Sequence, residues 1–243
     1  MKLKNWQKVM TVMEVYPNIT REKLEAALGL SRSGVAKIIR QLIDEGKIKR
    51  VGPDKGGHWE IVPSDEEPEY FFFYGHDPEK VGDKAVFSQW YMKPFTVDGH
   101  RYECMEQYMM AEKALLFKDF DMLKQILNSQ SPKECKAFGR KVKNFDTETW
   151  NEHSQKIVFK GNYAKFSQNS RLLKLLLATG DKVLVEASPF DKIWGIGMRA
   201  CKAAEDHHNW HGKNQLGYTL TRVKKAIIAD AILNGTLEEL MEE

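Results

Sequence analysis

The segment from residue 63 to residue 69 separates two parts of the chain that differ in charge. It has four acidic residues, no basic residue, and a proline at positions 63 and 68. Residues 1–62 contain twelve Lys and Arg against seven Asp and Glu, whereas residues 70–243 are close to neutral. Such a change in composition is typical of an exposed linker between domains. We therefore predict a basic domain over residues 1–62, an acidic linker over 63–69 and a second domain over 70–243.

Three amphipathic helices are predicted in the basic domain, because its apolar residues recur at helical spacing. Pro17 ends the first helix, and Thr20 and Ser31 are placed to cap the second and the third. Gly29 is expected to make the turn between the second and third helices. The inward face of the third helix is predicted to consist of Val35, Ile38, Ile39, Leu42 and Ile43.

Two short predicted strands, at residues 47–51 and 58–62, follow these helices on either side of a glycine-rich tip. This order resembles the winged helix-turn-helix domains of bacterial regulators, over residues 4–62. Such domains place one helix in the major groove, so we expect its exposed residues and the wing to contact DNA. The candidate DNA-binding residues are Ser31, Arg32, Ser33, Lys37, Arg40 and Lys55. The alternatives are a solvated basic face and a winged helix used for protein contacts.

The composition excludes several classes of protein. Hydrophobic residues make up 42% of the chain, as in globular proteins. No run of eighteen apolar residues occurs, and the first residues lack the apolar core of a signal peptide. The three cysteines, Cys104, Cys135 and Cys201, are far apart and odd in number, which favours a reducing compartment over a disulfide framework. We therefore expect a cytoplasmic protein with no membrane partner.

The second domain is predicted to have an α+β fold in which helices predominate. Residues 70–74 and 183–186 have the apolar character of buried strands. Apolar periodicity predicts helices at residues 104–115, 117–128, 132–141, 147–166 and 215–234. The polar, glycine-rich segments 187–199 and 207–214 are expected to be loops, and the apolar residues at 172–177 and 227–232 are assigned to the core.

General sequence motifs say little about the chemistry of this domain. The phosphate-binding loop G-x-x-x-x-G-K-[ST] is absent. Residues 195–200 match the dinucleotide fingerprint G-x-G-x-x-G/A, but we reject a dinucleotide site because no β-strand of adequate length precedes them. Cys201, His207, His208 and His211 lack the spacing of a structural zinc site and are expected in a polar loop. Catalysis by a Ser/His/Asp triad lacks a nucleophile elbow to support it.

Seven short stretches of the second domain resemble, in order, the motifs of the NADAR family, also known as YbiA-like N-glycosidases. They are residues 87–88, 106–113, 137–140, 144–150, 161–166, 191–197 and 212–217. This family cleaves N-glycosidic bonds between the anomeric carbon of a ribose and an amine or base. The resemblance implies a helix-rich NADAR-type fold with a small sheet, and an N-glycosyl hydrolase that needs no cofactor and no metal ion.

The resemblance also implies which residues form the active site. The residues that match the catalytic positions of the family are Glu106, Trp150, Asp191 and Trp194. The expected ligand-binding residues are Phe87, Ser88, Gln89, Trp90, Lys113, Arg140, Gly195, Gly197, Asn214 and Gly217. Gln89 stands where the family usually has Asn, and Lys224 stands where it usually has Arg.

These residue types fit the cleavage of an N-glycosidic bond. Positive charge develops on the ribose, so one carboxylate can stabilise that charge while a second orients or activates water. We assign the first role to Glu106 and the second to Asp191. Trp150 and Trp194 offer flat surfaces to a base or sugar, since base–aromatic stacking is worth ~1–3 kcal/mol. The basic side chains in the same motifs are expected to meet phosphates.

Three functions are compatible with these residues. The first is removal of ADP-ribose from guanine in nucleic acid, which a DNA-binding domain favours because it would hold the enzyme on its polymer. A protein of that kind suits the antidote half of a toxin–antidote pair, with a toxin ADP-ribosyltransferase encoded nearby. The second is cleavage of a phosphorylated ribosylamine from riboflavin synthesis, and the third is a non-catalytic regulator that senses ADP-ribose or NAD. A homodimer is compatible with a winged helix on paired DNA half-sites.

Overall fold

The structure is a computed structural model that describes residues 3–53, 56–205 and 209–242. Contacts between Cα atoms group the chain into two compact units. The first unit comprises Met1–Pro68 and Lys224–Glu243, and the second comprises Glu69–Val223. Residues 224–243 therefore group with the N-terminal region, whereas the division made from the sequence kept residues 70–243 together.

Three helices and an antiparallel hairpin make up the N-terminal part of the first unit, in the predicted order. They are α1 Asn5–Val15, α2 Arg21–Leu28, α3 Arg32–Asp44, β1 Ile48–Val51 and β2 His58–Ile61. The Thr20 side chain caps α2 by accepting a hydrogen bond from Lys23 N at 3.3 Å. The Ser31 side chain caps α3 in the same way, by accepting from Gly34 N at 3.2 Å. Both caps follow the prediction.

A small apolar core holds these helices together. Its buried residues include Val9, Val12, Met13, Leu24, Val35, Ile39 and Leu42. The prediction that Ile43 faces inward is wrong, because its side chain is 44% exposed. Successive residues of a helix point about 100° apart, so the burial of Leu42 turns its neighbour Ile43 outward.

The second unit is a helix-rich α+β structure, as predicted, and its strands form two small sheets. Strand β3 Tyr70–Phe73 pairs in parallel with β6 Val183–Glu186, and Phe73 lies opposite Glu186. Strands β4 Phe95–Val97 and β5 His100–Tyr102 form an antiparallel hairpin. The helices are α4 Pro78–Val81, a 3-10 helix Gly82–Phe87, α5 Met105–Leu116, α6 Phe120–Asn128, α7 Pro132–Gly139, α8 Thr147–Ser167, α9 Ser170–Leu177 and α10 Ala200–Ala203, followed by residues 215–223 of α11 Gln215–Asn234.

Helix α5 is the central helix of the second unit, where it packs against α6, α7 and α8. Met105, Tyr108 and Ala114 on this helix are fully buried. Gly161 lets α8 approach closely, because a Cβ atom there would lie 2.4 Å from Cδ1 of the Tyr108 ring. Glu106 belongs to this enclosed helix, so its carboxyl group is held inside the unit rather than on the surface.

Several short elements of this unit were not predicted, among them α9 and the hairpin of β4 and β5. Residues 172–177 were assigned to the core, and they belong to helix α9, in which Leu172, Leu173 and Leu176 are buried. Strands β4 and β5 have three residues each, which is too short for a clear alternation of apolar residues. Asp98 and Gly99 at their turn both have positive φ, the pattern of an Asp-Gly hairpin, and that dipeptide was the available signal.

The C-terminal part of the first unit consists of residues 224–234 of α11 and helix α12 Leu237–Glu242. Lys225 forms a 2.6 Å ion pair with Glu14 near the end of α1. The hydroxyl group of Tyr16 donates a hydrogen bond to Oδ1 of Asp230. These two contacts join the C-terminal segment to α1 within the unit.

The two longest helices are amphipathic rather than uniformly apolar. Helix α8 has 21 residues and α11 has 20, and charged side chains recur along both. In the part of the chain that the structure describes, no helix is both long and apolar enough to cross a membrane.

Candidate active site

A cavity of about 610 Å³ lies in the second unit, where α5, α7 and the start of α8 meet two loops. One loop follows the 3-10 helix and includes residues 88–90, and the other follows β6 and includes residues 190–194. Cavities of roughly 300–1,000 Å³ hold small molecules in proteins. The predicted site residues that the structure brings together here are Ser88, Gln89, Trp90, Glu106, Lys113, Arg140, Trp150, Asp191 and Trp194.

Glu106 is the most enclosed of these side chains and is 2% exposed. Its Oε2 atom accepts a 3.1 Å hydrogen bond from the indole Nε1 of Trp90, while Oε1 has no partner among the described residues. Burial raises the pKa of Glu106 to about 7, although the charge of Lys136 and the hydrogen bond from Trp90 oppose this rise. The carboxyl group therefore exchanges a proton near neutral pH and keeps one oxygen for a ligand.

Backbone contacts fix the loop that presents Gln89 and Trp90. The Ser88 hydroxyl accepts a hydrogen bond from Trp90 N at 3.1 Å, and Gln89 O accepts one from Glu106 N at 2.9 Å. The buried ammonium group of Lys165 donates to two carbonyl oxygens of this segment, at 2.7 and 3.0 Å. Oε1 of the Gln89 side chain is enclosed without a partner in the described part of the chain.

The loop after β6 is shaped by hydrogen bonds to Asp191. Its Oδ1 atom accepts from the backbone nitrogens of Ile193 and Trp194, each at 2.8 Å. The Ser188 hydroxyl accepts from Asp191 N at 3.2 Å. This turn brings both Asp191 and Trp194 to the cavity, as the resemblance implied, and leaves Phe190 at its rim with 85% of its surface exposed.

Lys113 lies between two aromatic rings beside the cavity. Its Nζ atom is 3.9 Å from the centre of the Phe145 ring and 5.6 Å from that of Trp150. It also donates a 2.9 Å hydrogen bond to the backbone carbonyl of Gly139. Burial lowers the pKa of Lys113. Cation–π contacts and one carbonyl thus hold a positive charge next to the Trp150 face.

Lys136 is a further cation of the cavity, and it was not predicted from the sequence. It lies on α7, with Nζ 5.8 Å from the centre of the Trp90 ring, and its charge lowers the pKa of Glu106. Arg140, four residues further along the chain, also lines the cavity. Residues four apart share a helix face, so this spacing was a signal that could have found Lys136.

Glu186 is a third carboxyl group of the cavity and was likewise missed. It is the last residue of β6, and its Oε2 atom is enclosed with no hydrogen-bond partner among the described residues. Burial raises the pKa of Glu186 to about 8, and the negative charge of Asp191 adds to the rise. An acid at the end of an otherwise apolar strand was the available sequence signal.

Five predicted ligand-binding residues lie outside the lining of the cavity: Phe87, Gly195, Gly197, Asn214 and Gly217. Phe87 is 2% exposed and packs against the rings of Phe73 and Phe166. Gly195 allows close packing, since a Cβ atom there would lie 2.9 Å from Glu186 O. Gly197 has a φ of +68°, which favours glycine.

Asn214 and Gly217 support strand β6 from the start of α11. Asn214 accepts a 3.0 Å hydrogen bond from Glu186 N and donates one, also at 3.0 Å, to Leu184 O. A Cβ atom at Gly217 would lie 2.1 Å from Leu184 O, so only glycine fits this approach. Both residues contact the strand that presents Glu186 to the cavity.

The described residues include no group of three or more His, Cys, Asp or Glu placed to hold a metal ion. Cys201 and His211 lie within the described residues, and the two other members of the cluster considered from the sequence, His207 and His208, lie outside them.

The NADAR domain profile matches residues 72–228, well over half of the chain. The chain belongs to the NADAR family. It is 44% identical over 166 residues to an N-glycosidase of Acanthamoeba polyphaga mimivirus, covering 66% of this chain and 97% of the viral protein. It is 31% identical over 149 residues to the N-glycosidase YbiA of Escherichia coli, covering 61% of this chain and 83% of YbiA. The NMR structure of E. coli YbiA matches with a TM-score of 0.56 and 28% identity, over 68% of this chain and 88% of YbiA.

The NADAR cavity therefore combines groups of opposite charge with flat aromatic walls. Its carboxyl groups can stabilise positive charge on a sugar and accept or donate protons. Its cations, Lys113, Lys136, Arg140 and Lys192, can bind the anionic oxygens of a phosphate. The names of the relatives support an N-glycosidase activity in general terms.

The candidate DNA-binding residues lie outside the NADAR domain, on and beside α3. Ser31, Arg32, Ser33, Lys37 and Arg40 are all exposed. The hydroxyl group of Ser31 also caps α3 by accepting from Gly34 N, and it lies 3.0 Å from the hydroxyl group of Ser33. Lys55, the candidate in the wing, lies outside the described residues.

Proposed function

We propose that this NADAR protein hydrolyses the N-glycosidic bond between ribose and a base, and that it removes ADP-ribose from guanine in nucleic acid. The observation that best supports this is the enclosed carboxyl group of Glu106. One of its oxygens accepts a hydrogen bond from Trp90, and the other is enclosed without a partner in the part of the chain that the structure describes. A carboxylate held in this way is suited to stabilise the positive charge that develops on the ribose.

The reaction uses water as the second substrate. As the bond between C1′ of the ribose and the nitrogen lengthens, the Glu106 carboxylate stabilises the cationic sugar. Water then adds to C1′, and Asp191 orients the water or the ribose hydroxyl groups. Because one oxygen of Asp191 is committed to two backbone amides, the side chain is fixed in place before the substrate arrives.

The charge of the cavity favours a substrate that contains phosphate. Lys113, Lys136 and Arg140 lie on or beside the helices that surround Glu106, and can bind the diphosphate of ADP-ribose. Trp150 and Trp194 supply faces for a base or for the ribose. Acceptors that have no partner among the described residues, such as Gln89 Oε1, suit the hydroxyl groups of a ribose.

We also propose that the N-terminal part of the first unit is a winged helix-turn-helix domain that binds DNA. The element order of three helices and a hairpin supports it, as does the exposed basic face of α3 formed by Arg32, Lys37 and Arg40. The proposed location is the cytoplasm, because all three cysteines are free thiols.

The function is tested with an oligonucleotide that carries ADP-ribose on guanine. Wild-type protein should release free ADP-ribose, and Glu106→Gln should abolish release because it keeps the shape and removes the charge. Glu152→Gln, at an exposed acid on α8, is the matched control and should leave release unchanged. Absence of release at high enzyme concentration would exclude this substrate.

The same experiment separates the remaining functions. Cleavage of a phosphorylated ribosylamine, with no release from the oligonucleotide, would assign the protein to small metabolites. Binding of ADP-ribose without any turnover would indicate a ligand-sensing regulator instead.

A further inference from the structure

We propose that Glu186 is a catalytic residue of this active site and that it protonates the nitrogen of the departing base. This role rests on the proposed function, and it adds a general acid to the charge stabiliser Glu106 and the water-orienting Asp191. The enclosed position of the carboxyl group, the backbone that holds it and the charges around it support the assignment.

The position of Glu186 is fixed by backbone contacts on several sides. Glu186 pairs with Phe73 in the parallel sheet, and its backbone amide donates a 3.0 Å hydrogen bond to Oδ1 of Asn214. Its carbonyl accepts a 2.9 Å hydrogen bond from Ile196 N. These contacts restrain the backbone at Glu186, and its side chain lines the cavity.

The carboxyl group of Glu186 is in an enclosed position that is unfavourable for an acid without a hydrogen-bond partner. Residues of a strand alternate between its two faces, so Glu186 shares a face with Leu184, which is completely buried. Its Oε2 atom is enclosed and unpartnered among the described residues. An enclosed polar atom without a hydrogen-bond partner is unfavourable in the folded state, and a hydrogen bond to the substrate would satisfy it.

The surroundings keep this carboxyl group protonated at neutral pH. Burial and the negative charges of Asp191 and Glu106 together raise the pKa of Glu186 to about 8, against the opposing charge of Lys136. The two carboxyl groups differ in their hydrogen bonds: Glu106 Oε2 accepts one from Trp90, which favours the ionised form, whereas Glu186 Oε2 has no such donor among the described residues.

The step balances with water as the only other reactant. The bond between C1′ and the nitrogen breaks with its electron pair on the nitrogen, which takes the proton from the Glu186 carboxyl group. A water oxygen bonds to C1′ and gives its proton to the Asp191 carboxylate. Exchange with solvent then returns a proton to Glu186 and removes one from Asp191. The products are ADP-ribose and the nucleic acid with its guanine restored.

Two substrates with different leaving groups test this role. The first is an oligonucleotide with ADP-ribosylated guanine, whose base needs a proton as it departs. The second is the same oligonucleotide methylated at N7 of that guanine, whose cationic ring departs as a neutral base without taking a proton. Glu186→Gln should slow single-turnover release from the first by about 100-fold or more, the range typical of general acids. It should change release from the second by less than about threefold.

Two measurements accompany these rates. Glu79→Gln, an exposed acid on α4, is the matched control and should equal wild type on both substrates. For wild-type protein, release from the unmethylated substrate should fall as pH rises through about 8, whereas release from the methylated substrate should not. This comparison decides the question even if Glu186→Gln fails to fold.

The outcomes are distinct. Three results would overturn the role of Glu186 while leaving the hydrolase function intact. They are equal losses of release rate on both substrates for Glu186→Gln, no loss on either substrate, and identical pH profiles of wild-type protein on the two substrates. If wild-type protein releases ADP-ribose from neither oligonucleotide, the proposed function is itself wrong and this role falls with it.

Discussion

The indole Nε1 of Trp90 donates a hydrogen bond to Oε2 of Glu106 over 3.1 Å, inside the cavity of the NADAR domain. Glu106 belongs to α5, whereas Trp90 lies in the loop after the 3-10 helix. The hydrogen bond stabilises the ionised carboxylate against the burial that raises its pKa to about 7. The ionisation of Glu106 therefore depends on the position of this loop.

Trp90→Phe should move the acid limb of the pH–rate profile to higher pH. The variant loses the donor that favours the carboxylate, so the pKa of Glu106 rises from about 7 and less carboxylate is present at neutral pH. A hydrogen bond to a charged group is worth about 1.5–3 kcal/mol, which corresponds to a shift of about one to two pH units. The profile of kcat/KM on the ADP-ribosylated oligonucleotide measures it. Trp6→Phe, in the first unit, is the control, and an acid limb unmoved by Trp90→Phe would exclude this coupling.

Lys136→Met should weaken the binding of ADP-ribose and make it less sensitive to salt. The variant keeps the length of the side chain and removes a charge from the cavity wall. We expect an affinity loss of about tenfold, the size of one charge-assisted hydrogen bond. Calorimetric titration at two ionic strengths measures both effects. Lys133→Met, an exposed lysine on the same helix, should bind ADP-ribose as wild type does; equal affinities for the two variants would contradict a phosphate contact at Lys136.

Asn214→Ala should destabilise the protein without removing a cavity-lining side chain. Asn214 is completely buried, and it makes one hydrogen bond to Glu186 N and one to Leu184 O. Loss of both leaves two enclosed backbone groups without these partners, and we expect the free energy of unfolding to fall by about 2–4 kcal/mol. Urea unfolding measures the change. Asn151→Ala, at an exposed position on α8, should have little effect, and a similar stability for both variants would show that the hydrogen bonds to β6 contribute little.

Stability should rise with pH between about pH 7 and pH 10 because of Lys165. Burial lowers the pKa of this fully enclosed lysine from 10.5 to about 7. Within that interval the unfolded chain binds a proton that the folded protein does not, so raising the pH favours the folded state. Below pH 7 both states are protonated and this contribution is constant. Urea unfolding of wild type and Lys165→Met over this range should give a flatter pH dependence for the variant; parallel curves would contradict the shift.

Replacing the basic residues of α3 should weaken DNA binding in proportion to the charges removed. Arg32→Ala, Lys37→Ala and Arg40→Ala are each expected to reduce the slope of log affinity against log salt by about 0.9 if the residue neutralises one phosphate. Fluorescence anisotropy with duplex DNA measures the slope. Lys8→Ala, on α1, is the control within the same unit. Unchanged slopes for all three variants would favour a winged helix that contacts protein.

The sequence predicted helices whose apolar residues recur at helical spacing, and it predicted site residues that belong to recognisable motifs. Helices α1, α3, α5 and α8 were found because their apolar residues recur along a full face. The hairpin of β4 and β5 was missed because three-residue strands hold too little pattern. Motifs predicted Glu106 and Asp191 as site residues, but not Glu186 and Lys136, which line the same cavity because of neighbours that are distant in the chain. Burial and the charge of other residues, which set their environments, are properties of the assembled fold.

The parallel pairing of β3 with β6 determines when the cavity can form during synthesis of the chain. Phe73 leaves the ribosome long before Glu186, its partner across the sheet, and most of the second unit lies between them. Closing a segment of that length costs entropy before any contact is gained, so the pairing is expected late in folding. The nascent chain therefore has no complete cavity until the last strand of the unit has emerged, and a prematurely terminated chain would be inactive.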